Sequence, residues 1–271
     1  DQRTKMLPPC MVLVLYLMGF FSGELQGFSV VSTRMQDSTL DMATSSFDDQ
    51  YNGCVDEMED KVGELQRTEF ANKTYANIWD RATAEWNEQK PAGLKREYGI
   101  AVVAYTESKG SLFRDLNDAL RKAGKSKDYY LKDFKLKSFH YLLTRALQVL
   151  WTNSNGECYT TYRGVNGIRF ITERSKEVRF GCFASSSLNK YIATGFGDDT
   201  FFTIKTCHGT YIKEFSIYPG EEEVLIPPYE LFRVEDFVKT PSGKIRISLT
   251  SVGKFSKYNC VYAKGKNQSV F

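Results

Sequence analysis

Three short stretches in the second half of the chain carry the residue types from which a reaction site is built. In Ile217-Tyr218-Pro219-Gly220-Glu221-Glu222-Glu223-Val224-Leu225-Ile226-Pro227-Pro228 a Pro-Gly turn delivers three carboxylates directly into an apolar strand. In extended geometry alternate side chains share a side, so Glu221 and Glu223 are expected to face together while Glu222 points away. Two such carboxylates repel, and one is expected to titrate high or to be held by a cationic or polyhydroxyl ligand. Taken alone, the stretch reads better as a solvated acidic turn. Arg163-Gly164 ends a first β segment, and Phe183-Ala184-Ser185-Ser186-Ser187-Leu188 ends a second. An Arg, a Ser and a Glu-x-Glu therefore follow one another on successive strands.

Other chemistries are excluded by what the spacing lacks. No Gly-x-Gly-x-x-Gly follows a strand and no P-loop occurs; Gly195-Phe196-Gly197 runs into Asp198-Asp199, which would repel a phosphate. There is no Gly-x-Ser-x-Gly elbow, and Ser185-Ser186-Ser187 has no His or acid partner nearby in sequence. The two histidines, His140 and His208, are far apart, and no His-Glu-x-x-His or His-Cys cluster appears, so no metal is expected.

The elements that must position these residues change character midway. From Val55 to about Leu150 the spacing is helical: Trp79, Ala82 and Trp86 form one stripe, Leu112, Leu116, Ala119 and Leu120 another. Glu97 to Thr106 reads as a short strand or a buried helix, and Lys137 to Leu150 as a further helix. Beyond the turn cluster Asn153-Ser154-Asn155-Gly156 the texture is β: Cys158–Val165, Val178–Ser187, Thr200–Thr206, Thr210–Tyr218, Glu230–Thr240 and Lys244–Val252. A helical front packed on a β-rich back is an α+β domain.

With 271 residues, 42% hydrophobic and 25% charged, the chain is of globular type, and a net charge of +3 with scattered Lys and Arg does not suggest a nucleic-acid binder. Arg3 and Lys5 precede a weakly polar run, Leu7 to Phe21, and small residues at Ser22 and Gly23, which reads as a secretory signal. Because Asp1 precedes Met6, residues 1–27 are read as a signal peptide with upstream translated residues, and 28–271 as one domain, mainly helical to 155 and mainly β from 156. With Cys10 assigned to the signal, Cys54, Cys158, Cys182, Cys207 and Cys260 remain, and an oxidising compartment pairs four of the five. Cys182 alternates with Val178, Phe180 and Ala184 on a core face and is expected to be a buried free thiol. Sequons stand at Asn72-Lys73-Thr74 and Asn267-Gln268-Ser269.

The ordered Arg, Ser-x-Ser and Glu-x-Glu stretches, with Pro-Gly-Glu-Glu-Glu-Val-Leu-Ile-Pro-Pro, resemble the signature of the arginine-specific mono-ADP-ribosyltransferases, close to the vertebrate cell-surface ecto-enzymes of the T-cell type. The likeness covers essentially the whole chain after the leader. One departure is Ser-Ser-Ser where many relatives have Ser-Thr-Ser, which leaves the first hydroxyl in place. The resemblance implies two small, mostly antiparallel packed sheets with an NAD cleft between them, flanked by N-terminal helices. It implies NAD (or NADP) as substrate, no prosthetic group, and transfer of ADP-ribose to arginines of extracellular or cell-surface proteins, with accompanying NAD hydrolysis. Alternatives are an enzyme that is mainly an NAD glycohydrolase, or a non-catalytic secreted binding module.

By the same resemblance Arg163 is a fixed cation toward the phosphate and ribose. Gly164 lets the backbone approach the nicotinamide amide, and Ser185 orients the nicotinamide ribose or the catalytic carboxylate. Glu223 accepts from the ribose 2′-OH and steadies the developing positive charge, Glu221 engages the acceptor guanidinium, and Phe196 on a Gly-flanked loop stacks on the nicotinamide. Cys54 is expected to pair with Cys260 and Cys158 with Cys207. Cell-surface relatives carry a lipid anchor signal with a hydrophobic tail, and Lys266 to Phe271 is not one, so the product is expected at the cell surface by a GPI anchor if the sequence is truncated here, and secreted otherwise.

Overall fold

The apolar stripes of the first half become six helices in a computed structural model that describes residues 35–89, 93–107 and 111–265. The expected signal peptide and the sequon at Asn267 lie outside the described residues. The helices are α1 (Val55–Glu69), α2 (Lys73–Gln89), α3 (Arg96–Thr106), α4 (Leu112–Ala123), α5 (Lys127–Asp133) and α6 (Lys137–Asn153). The ambiguous run is helix α3: Tyr98 to Tyr105 are all buried, so it is apolar all round and its periodicity carries no signal. Gly99 lets α3 lie against α2, since a Cβ there would come within 1.9 Å of the Trp86 ring.

The second half holds β2 (Tyr159–Val165), β3 (Ile168–Ile171), β4 (Glu177–Val178), β5 (Ala184–Ser187), α7 (Lys190–Phe196), β6 (Thr200–Thr206), β7 (Thr210–Tyr211), β8 (Glu223–Ile226), β9 (Glu230–Lys239), β10 (Ile245–Lys254) and α8 (Val261–Gly265); β1 (Gln36–Thr39) precedes the helices. Two expected strands are broken. Gly181, at φ +66°, divides Val178–Ser187 into β4 and β5. Thr210–Tyr218 shrinks to β7, followed by 3₁₀ turns at Lys213–Phe215 and Pro219–Glu221.

Strands run in the order β4-β9-β10-β6-β2-β5-β8-β7, with β1 and β3 forming a separate parallel pair. Only β6 and β10 are parallel within the large sheet. Its two parts, β4-β9-β10-β6-β2 and β5-β8-β7, meet through the single pair Tyr162↔Ser187, which gives the α+β arrangement of two mostly antiparallel sheets beside a helical layer.

Two cores result, and β5 and β8 form the wall between them. Phe183 and Leu225 join the helical core with Leu116, Tyr105 and Leu142. Their neighbours Ala184 and Ile226 point the other way, into the core shared with Phe202, Phe180 and Ile247, as the two-residue period of a strand demands. Disulfides Cys54–Cys260 and Cys158–Cys207 are both present as expected. Cys182 is fully buried beside Val178, Phe180 and Ala184, but it is not the free thiol expected: it is disulfide-bonded. The expectation arose from setting Cys10 aside with the leader, which left an odd count.

Candidate active site

The pairing of three strands brings the separated motifs to one point. Tyr162 on β2 pairs with Ser187 on β5, and Ser187 pairs with Glu223 on β8. Arg163, next to the junction, is buried, and its Nη1 donates to the main-chain oxygen of Ser185 at 2.5 Å. Removal from water draws its guanidinium down to about 10, against the attraction of Tyr105 and Glu223.

Glu223 is 6% exposed. Burial pushes its carboxyl up to about 7; the Ser185 hydroxyl and Arg163 pull it down, and the neighbouring charge of Glu221 pushes it up further. Burial also raises Glu221, which is half-exposed. The two carboxylates thus share a site, but not by the extended geometry expected. Glu221 ends a 3₁₀ turn, and Glu222 is left-handed at φ 48°, ψ 49°, before Glu223 opens β8. A non-glycine residue rarely adopts this conformation, and its neighbours hold it: Leu188 N–H donates to Glu222 O at 3.1 Å, and Ser187 Oγ to Glu221 O at 2.7 Å.

The serine run divides its work. Ser186 Oγ donates to Val224 O at 2.8 Å and Ser187 Oγ to the turn, so both fasten β8. Ser185 Oγ is buried and makes no well-aligned hydrogen bond to the protein, although it lies near enough to Glu223 to favour the carboxylate.

Gly164 serves the fold closely: a Cβ there would lie 2.0 Å from Gly197 O and 2.2 Å from Ala193 O, so the glycine lets the end of α7 rest on β2. Phe196 is the last residue of α7, half-exposed, and not part of a loop as expected. Asp198 and Asp199 are structural; Asp198 pairs with Arg246 at 2.7 Å and with Lys244, and Asp199 Oδ2 accepts from Gly167 N–H at 2.7 Å.

Two residues of the helical half that the sequence did not single out reach this site. Tyr105 on α3 and Asn117 on α4 are buried against Phe183, immediately before β5. Asn117 had a legible signal: it interrupts the apolar face formed by Phe113, Leu116 and Leu120. Tyr105 had none, since α3 is buried on every side.

A family model described as "NAD:arginine ADP-ribosyltransferase" matches residues 40–257. The chain belongs to that family. It is 47% identical over 237 residues to the erythroblast NAD(P)(+)--arginine ADP-ribosyltransferase of Gallus gallus, covering 86% of this chain and 78% of the relative. To the GPI-linked NAD(P)(+)--arginine ADP-ribosyltransferase 1 of Mus musculus it is 42% identical over 277 residues, 96% of this chain and 85% of the relative. The crystal structure of the eucaryotic mono-ADP-ribosyltransferase ART2.2 superposes with a TM-score of 0.71 at 42% identity, over 83% of this chain and 99% of that one. A variant of that enzyme has been crystallised in complex with NAD.

For an arginine ADP-ribosyltransferase the chemistry of the donor set is coherent. The site holds a buried cation, Arg163, a buried carboxylate raised to about 7, Glu223, and a second, more accessible carboxylate, Glu221. Among the described residues no group of three or more His, Cys, Asp or Glu is placed to hold a metal ion, and no helix is long and apolar enough to cross a membrane.

Proposed function

We propose that the chain transfers ADP-ribose from NAD to protein arginines with Glu223 as the catalytic carboxylate, and that the same site hydrolyses NAD when water takes the place of the acceptor. The observation that carries this reading is the convergence of Glu223, Arg163 and Ser185 at the junction of β2, β5 and β8. In the reaction the bond from ribose C1′ to nicotinamide breaks, its electron pair leaves on the ring nitrogen, and an oxocarbenium-like cation develops, as in glycoside hydrolysis. Glu223 accepts from the 2′-OH and stabilises that cation in a water-poor setting. Arg163 meets the pyrophosphate and ribose side with a planar fork of donors, and the hydroxyl of Ser185 orients the ribose. Gly164 and the adjoining end of α7, with Phe196, line the nicotinamide side.

A guanidinium nitrogen of the acceptor attacks C1′ and loses a proton. Glu221, half-exposed and raised by burial, is the carboxylate at hand to orient that guanidinium and take the proton. Its position at the solvent side of Glu223 favours transfer over a purely hydrolytic enzyme. Relatives that are GPI-linked, together with the Cys54–Cys260 and Cys158–Cys207 bridges, support action outside the cell on arginines of cell-surface or secreted proteins, and exposed Asn72 fits a glycosylated chain.

The test is incubation with labelled NAD and a small guanidino compound, followed by separation of products. Labelled acceptor together with free ADP-ribose is expected. Free ADP-ribose alone means a glycohydrolase, and neither product means a binding module.

A further inference from the structure

Tyr105 and Asn117 tie the helical layer to the strand that carries Ser185. Asn117 Nδ2 donates at 3.1 Å to both Tyr105 Oη and the main-chain oxygen of Phe183, while Asn117 Oδ1 accepts from Phe183 N–H at 3.1 Å. Tyr105 Oη donates to the same carbonyl at 3.0 Å. Side chains of α3 and α4 thus supply Phe183 with the partners a neighbouring strand would give. All three residues are at most 2% exposed.

The strand period carries this brace to the site. Phe183 and Leu225 face the helical core, so Ser185 and Glu223, each two residues away on its strand, face the same side. Tyr105 is near them, and its phenol feels Glu223, Arg163 and the Ser185 hydroxyl. A buried polar network is paid for in desolvation, and apolar side chains would fill the same space more cheaply; what the network adds is direction.

We propose that Asn117 and Tyr105 are positioning residues for the reaction: they fix the start of β5 from the helical side and aim the Ser185 hydroxyl at Glu223. This rests on the reading of Glu223 as the catalytic carboxylate. Without the brace Ser185 loses its aim, and Glu223 loses a donor that favours its ionised form.

The test compares wild type, Tyr105→Phe, Asn117→Ala, the double variant and Glu223→Gln in nicotinamide release from NAD, with pH profiles and thermal melts. Tyr105→Phe keeps the ring and removes only the hydroxyl. In the two single variants kcat is expected to fall about tenfold or more, with KM for NAD changed by less than about twofold, because misplacing one reacting group acts on the transition state. The acid limb of kcat is expected to move to higher pH, which loss of folded enzyme alone would not do. The double variant should lose no more than the worse single variant, as residues acting as one unit are not additive.

Folded Tyr105→Phe with wild-type kcat and acid limb, beside an inactive Glu223→Gln, overturns the proposal and leaves Glu223 standing; so does a lowered kcat with an unmoved limb. Activity retained by Glu223→Gln removes the reading of Glu223, and the positioning role with it. Should Tyr105→Phe not fold, Asn117→Ser, which leaves the Tyr105 ring in place, decides by the same readouts.

Discussion

Ser187 lies directly opposite Glu223 across the β5–β8 ladder, and its hydroxyl holds the main-chain oxygen of Glu221 two residues earlier. One serine therefore fixes where both carboxylates stand, one by strand register and the other by capping the turn that carries it.

Replacing Glu223 by Gln keeps its size and removes the charge that steadies the cation. Both arginine modification and NAD hydrolysis are expected to fall by ~10²-fold or more while NAD still binds. Turnover assays paired with direct binding by calorimetry check this; unchanged turnover with lost binding would reduce Glu223 to a shaper of the pocket.

Glu221→Gln should separate the two outcomes of the reaction. On the proposed reading the contact it removes is made only to the acceptor and is worth on the order of 1.5–3 kcal/mol for a hydrogen bond to a charged group. Transfer to an arginine analogue should collapse, while nicotinamide release in its absence largely survives. Equal loss of both would assign Glu221 to the chemistry at the ribose.

On the proposed role nicotinamide release needs Glu223 ionised, and burial pushes its carboxyl up to about 7. The rate at saturating NAD should rise with pH through that value and level off above it. A profile flat from pH 5 to 8 would show that the buried carboxyl is not the group at work.

The same shift has a price in stability. Between the ordinary carboxylate value of 4.5 and about 7 the folded state binds the Glu223 proton more tightly than the unfolded chain, so this group's contribution to stability declines as pH rises through that window. Glu223→Gln, never charged, should melt above wild type at pH 8, by roughly 2–4 °C for each kcal/mol recovered, and no higher at pH 4. Differential scanning calorimetry at the two pH values checks the sign.

Loop length ranks the disulfides. Cys54–Cys260 spans 206 residues and Cys158–Cys207 spans 49, which the chain-entropy relation converts to about 5 and about 4 kcal/mol. Denaturation of the paired Ser variants should show the larger loss for the first bridge.

The amphipathic helices were legible because Leu112, Leu116 and Leu120 recur at helical spacing on one buried face, and the longer strands because their alternation is long enough to read. The strand β3 of four residues, the helix α7 of seven and the break at Gly181 were not: short elements take their conformation from tertiary pairing more than from their own pattern. At the site, residue types and order showed the three motifs, whereas the left-handed Glu222 escaped because nothing in Glu-Glu-Glu distinguishes its middle member. Asn117 was marked only as a polar interruption of an apolar face and Tyr105 not at all, because the Phe183 they bond lies 66 and 78 residues away, beyond any local window.

Three consecutive serines are chemically interchangeable, so the run Ser185-Ser186-Ser187 holds no information about which of its members should meet a ligand. That information is stored beside it, in the size contrast between Phe183, which fills the helical core, and Ala184, which fits the other. A slip of one residue would drive the phenyl ring into a space shaped for a methyl group. The side to which Ser185 turns is thus written in a volume difference, and on the proposed reading Phe183 and Ala184 are the positions at which a substitution silences that serine without touching it.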